Sequence, residues 1–241
     1  MNTIQRIFTG LLAGTALVAS QALAAPVTLD LDYTGFAADY KTGTLYDTDA
    51  SNGSSLYGDR SSLGVNAGLF QFNVSNAQGD SPISWSDTLQ AFCIQTDTLL
   101  NQANTSYTLA SASDYFGDPS RLDRIGQLYT GFHDQVTDNI TSAAFQLALW
   151  ELINESEPGY GLTDGDFTSS PFDGAAAQAD TWLDSLAGIV NQFDLYVLTS
   201  DASQDLLVFK PTPPVRVPEP ATLALLALGL LAIGLRMRKP S

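Results

Sequence analysis

Cationic side chains are scarce in this chain: ten Lys and Arg stand against 26 Asp and Glu, with a single histidine beside them. The imbalance sharpens between Ala25 and Pro220. There the six basic residues Lys41, Arg60, Arg121, Arg124, Lys210 and Arg216 face all 26 acidic ones, a net charge of −20. Nucleic acid and anionic lipid both need a cationic surface, so neither is expected as a partner. Cysteine is scarcer still. Cys93 stands alone, so no internal disulfide can form, and with His133 as the one histidine a zinc site lacks ligands. No metal or cofactor is expected. The motifs of several enzyme classes are missing too: there is no G-x-S-x-G elbow, Walker loop, H-E-x-x-H pair or dinucleotide fingerprint. The chain is not expected to be an enzyme.

Apolar residues are plentiful at 44%, and between the two ends they recur with regular periods, so this segment should fold as one domain. Val27, Leu29, Leu31 and Tyr33 alternate with polar residues, which predicts a strand with one wet face. Further strands are expected over 69–74, 89–96, 106–110, 193–199 and 205–209. Between them the period lengthens. Asp118-Pro119 reads as an N-cap and first-turn proline, ahead of Leu122, Ile125, Leu128 and Tyr129 at helical spacing. A second helix is expected over 141–155. A third is expected over 173–190, with Ala179, Trp182, Leu183 and Leu186 on one stripe. The order predicts an α+β fold: an antiparallel β-sandwich or barrel with an inserted helical block. The stretch Asp47-Thr48-Asp49-Ala50-Ser51-Asn52-Gly53 has the alternating oxygens of a calcium loop. Its glycine falls one place late and position 58 is glycine instead of glutamate, so an ordinary polar loop is the expectation.

The two ends have a different character. Arg6, an apolar run from Ile7 to Ala19 and the small-x-small step Ala22-Leu23-Ala24 form a secretory signal over residues 1–24. The domain is expected over 25–209, followed by a proline-rich linker over 210–220 and a hydrophobic helix with a basic tail over 221–241. Ala221 to Leu235 carries no charge and ends at the basic stop Arg236, Arg238 and Lys239. Fifteen helical residues rise only about 22 Å against a hydrocarbon core of about 30 Å, a span better suited to being cut than to anchoring permanently. Val217-Pro218-Glu219-Pro220, the apolar run and the basic stop together resemble the PEP-CTERM sorting signal. That resemblance implies a Gram-negative, exopolysaccharide-forming bacterium and export through the inner membrane. It further implies a transient anchor in the C-terminal helix and processing by an exosortase, with the cell surface or extracellular matrix as destination.

Cys93 lies in the strand-like run Ala91-Phe92-Cys93-Ile94-Gln95, where a lone cysteine is ordinarily a small buried hydrophobe. Gln146 shares its helix face with Ala143, Leu149, Trp150 and Ile153, whereas Glu151 and Glu155 project to the opposite, solvent side. A primary amide on an apolar face must be hydrogen-bonded or chemically used. Phe92-Cys93-Ile94-Gln95 and Phe145-Gln146-Leu147-Ala148-Leu149 resemble the paired motifs of the thioester domains of bacterial surface adhesins. The resemblance implies a thioester cross-link between Cys93 and Gln146, opened by an amine of a partner surface protein. Two other readings stay open. Cys93 with His133, beside Asp134, could form a thiolate–imidazolium pair for hydrolysis or acyl transfer. Alternatively, Trp85, Trp150, Trp182 and nine tyrosines could supply sugar-stacking surfaces for a structural or exopolysaccharide-binding matrix protein.

Overall fold

The computed structural model describes residues 25–47, 62–155 and 159–212. The signal segment with Ala22 and Ala24 lies outside these residues. So do positions 48–53 of the candidate calcium loop, the sorting motif Val217–Pro220, and the hydrophobic tail with Arg236, Arg238 and Lys239.

Seven antiparallel strands and four α-helices make up the described part, so the fold is α+β. The strands are β1 (Thr28–Asp47), β2 (Ser62–Gln78), β3 (Thr88–Cys93), β4 (Thr105–Ser111), β5 (Phe167–Ser169), β6 (Phe193–Thr199) and β7 (Leu206–Pro211). Pairing runs β1–β2–β3–β7–β6–β4 and returns to β1, so six strands close on themselves as a barrel. Leu31 sits at the closure, opposite Val74 of β2 on one side and Thr105 of β4 on the other. β5 pairs with the far end of β1, Leu45 opposite Ser169. The expected alternation holds on β1, where Leu29 and Leu31 are buried and Asp32 is exposed.

Strand β1 is much longer than the seven residues that alternate in the sequence. Register shifts at Tyr33/Gly35 and Phe36/Tyr40 bend it, with Gly35 at φ 134° and Asp39 at φ 63°. Bulges of this kind let one strand turn a barrel corner and serve two neighbours, at the cost of the clean period that a reader of sequence relies on.

The helical block falls between β4 and β6. Helices α1 (Ala112–Phe116), α2 (Pro119–Phe132), α3 (Asn139–Asn154) and α4 (Ala175–Asp184) follow in order. Asp118 caps α2 as expected, accepting from the backbone N–H groups of Ser120 and Arg121 at 2.9 and 3.2 Å. Asp138 caps α3 in a reciprocal box with Thr141, which starts that helix two residues earlier than its apolar pattern does. The third expected helix is shorter than 173–190. Asp173 and Gly174 take left-handed backbone (φ 51° and 98°) and delay its start, and Gly188 (φ 88°) lies beyond its end.

Helix α3 runs through the centre of the molecule. Every residue from Ser142 to Leu152 is buried, between β1 and β2 on one side and α2 and α4 on the others. The expectation that Glu151 and Glu155 mark a solvent face is therefore wrong: they are 0% and 5% exposed. The segment 159–167 folds over them and supplies backbone donors. Gly161 N–H reaches Glu151 Oε1 at 2.8 Å, and Asp166 N–H reaches Glu155 Oε2 at 2.9 Å. Close contact between α3 and the barrel depends on Gly68 of β2. A Cβ there would lie 2.8 Å from the Asp39 carbonyl oxygen and 3.1 Å from Ser142 Oγ. Ser142 Oγ uses the space to accept the Leu69 N–H at 2.8 Å.

Candidate functional site

Cys93 is the last residue of β3, opposite Leu206 of β7, and Gln146 lies midway along α3. The fold brings them together. Each is 1% exposed. The Cys93 N–H donates to Gln146 Oε1 at 3.1 Å, and Gln146 Nε2 donates to the Cys93 carbonyl oxygen at 2.8 Å. The side-chain amide thus pairs with one backbone residue through both of its polar atoms, as a neighbouring strand would. Phe92 stacks on Phe145 at 4.5 Å between ring centroids, so the residues preceding the cysteine and the glutamine lock the two elements side by side.

The thiol engages the turn that leaves β3. Cys93 Sγ is 2.9 Å from the Gln95 carbonyl oxygen, its acceptor. Gln95 also ties the site to the residue that precedes β7, its Oε1 accepting the Asp205 N–H at 2.8 Å. Burial pushes the thiol up from its usual 9 to about 12; the Trp150 indole and the Gln95 backbone pull the other way, and Asp205 and Asp97 add to the rise. At neutral pH the sulfur holds its proton.

A cleft of about 470 Å³ opens from solvent onto this sulfur. Tyr33, Phe36, Phe70 and Trp150 give it aromatic walls, and Gln95 and Gln204 contribute amides. No charged side chain lines it among the described residues, although the chain is strongly acidic. Cys93 faces the cleft and Gln146 lies behind it.

His133 occupies a different environment, in the short 3₁₀ turn that follows α2. Its ring stacks on Tyr129 (5.4 Å) and meets Phe209 edge-on (4.7 Å), with Nδ1 3.7 Å from Asp134 Oδ1. Burial lowers its pKa, and no hydrogen bond joins it to Cys93 among the described residues. Trp150 and Trp182 are each 3% exposed, whereas Trp85 is half-buried and Tyr40, Tyr46 and Tyr115 are exposed. Gln95 and Trp150 stand beside the sulfur; the first closes one quoted motif and the second directly follows the other, but nothing in their spacing assigns them a contact.

Residues 216–239 match the PEP-CTERM protein-sorting motif. No curated protein matches the chain. Among solved structures, the chain is similar to the thioester domain of the Staphylococcus aureus TIE protein. The two share 11% sequence identity, with a TM-score of 0.42, over 79% of this chain and 95% of that one. The sorting motif implies an exported protein with a C-terminal anchor and an exosortase as its processing partner.

Proposed function

We propose that the exported domain binds amines covalently through an internal thioester between Cys93 and Gln146. The observation that carries this reading is the two-bond pairing that holds the Gln146 carboxamide against Cys93, out of water. Cross-linking needs the sulfur to attack the Gln146 acyl carbon. Charge then develops on Oε1, which already accepts the Cys93 N–H, a donor placed as in an oxyanion hole. The C–N bond breaks, the thiol proton passes to the departing nitrogen, and ammonia leaves. With no base at the sulfur the step is slow. Within one molecule, though, it need occur only once, and proximity supplies much of what a base would.

Because Cys93 lines the cleft, an acyl group bonded to its sulfur would be approached from there. An amine entering the cleft attacks it, forming an amide with Gln146 and freeing the Cys93 thiol. Each molecule reacts once, so the protein is an adhesin and not an enzyme. The amine-bearing partner is a surface protein, and the sorting tail would put the reactive cleft outside the cell. A thiol held protonated near pH 7, with His133 packed among Tyr129, Phe145 and Phe209, gives little support to a cysteine hydrolase. A purely structural glutamine, as in a non-covalent matrix protein that binds exopolysaccharide, would make the same two hydrogen bonds, so chemistry must separate the readings. Incubation with a biotinylated alkylamine should leave label that survives denaturation and maps to Gln146. The Cys93→Ala variant should fold and take up none. Absence of label in the unsubstituted protein, or equal labelling of the variant, would sink the proposal.

A further inference from the structure

The side chain of Trp150 has a feature that packing alone does not explain. It is 3% exposed, yet its indole Nε1–H has no hydrogen-bond partner. An indole N–H can only donate, and leaving a buried donor unsatisfied costs stability. Trp150 stands one helical turn after Gln146, on the same face of α3, and it walls the same cleft as Cys93. The indole favours a thiolate at Cys93, although no acceptor sits at hydrogen-bond geometry to its N–H. A neutral thiol or thioester sulfur is a poor acceptor; a thiolate is a strong one.

We infer that Trp150 is the leaving-group donor of the amine-capture reaction: its indole N–H is held in reserve and hydrogen-bonds the Cys93 sulfur when the thioester opens. This rests on the thioester reading above. The amine nitrogen bonds to the Gln146 acyl carbon, the carbon–sulfur bond breaks, and its electron pair stays on sulfur. A proton then leaves the new amide nitrogen and ends on the thiolate. Two donors serve two charges. The Cys93 N–H meets the oxyanion at Oε1, and the Trp150 N–H meets the sulfur as it departs. The cleft has no cationic side chain among the described residues that could do the second task.

The test compares the exported protein with Trp150→Phe, which keeps an aromatic ring and removes the donor. Both should lack one ammonia by intact mass. Methylamine should open the variant about ten- to a hundredfold more slowly, the effect expected for losing a hydrogen bond to a charged group. After opening, pH-dependent alkylation should show a higher Cys93 pKa in the variant, a shift that lost packing alone would not produce. Should the variant fail to fold, nitrogen-15 spectra of the unsubstituted protein decide. The Trp150 indole resonance should move as the freed Cys93 titrates. Equal opening rates and equal pKa values, or an indole resonance that ignores the thiol, would overturn the indole's role and leave the thioester standing. An unsubstituted protein with no ammonia deficit would overturn both.

Discussion

Gln146 makes hydrogen bonds of opposite polarity to a single residue, and this makes its replacement by glutamate informative. In Gln146→Glu the Nε2 donor, 2.8 Å from the Cys93 carbonyl oxygen, becomes an oxygen that can remain there only if it carries a proton. Burial and that carbonyl both raise the carboxyl pKa in the folded state. Stability should therefore be fullest below the ordinary glutamate pKa and fall as pH rises through the raised one, by a few kcal/mol (roughly) once the charge is buried. Denaturant melts of variant and unsubstituted protein between pH 4 and 8 measure this; parallel curves would mean that Gln146 does not need its donor. At this scale helical phase was enough to place Gln146 on an apolar face, but its pairing with Cys93 was carried by the resemblance of the two motifs and not by phase or spacing. The role of Trp150 was not legible. Phase says that the ring is buried, but the direction of its N–H depends on where β3 ends, and that is a long-range fact.

Among the elements, α3 departs furthest from expectation. Its sequence has an apolar face and a face with two glutamates, the usual mark of a half-buried helix. Phase cannot show that 159–167 will close over the second face with N–H donors, or that α4 will pack beside it. The consequence for Glu151 is large. Burial lifts its carboxyl from the usual 4.5 to about 8, the charges of Glu155 and Asp180 add to this, and the Gly161 N–H bond only partly opposes it. Its folded pKa lies above its unfolded one, so the stability it contributes is complete below about 4.5 and lost as pH rises through about 8. The thermal midpoint should fall over that window, and Glu151→Gln should flatten much of the fall. An unchanged pH profile in the variant would show that the carboxyl is ionised in the folded state. Elsewhere the elements that keep a clean period were readable: β6 spans 193–199 as expected, and α2 begins at Pro119 behind its Asp118 cap. Strand β1 was read short because its bulges break the alternation. β5 escaped notice at three residues, since its pairing with β1 lies in the partner and not in its own pattern.

For the whole molecule, one covalent bond between β3 and α3 would join the barrel to the helical block at its centre, in a protein whose sorting motif implies export. The net charge of −20 over Ala25–Pro220 suits such a protein to partners that present amines, since cationic surfaces are drawn to it before any bond forms. The most direct measurement is the intact mass of the exported protein before and after methylamine. The account predicts a mass short of the sequence by one ammonia. Treatment should then add one methylamine, located at Gln146, and expose one alkylatable thiol at Cys93. A full-length mass with a Cys93 thiol that alkylates in the untreated protein would contradict it.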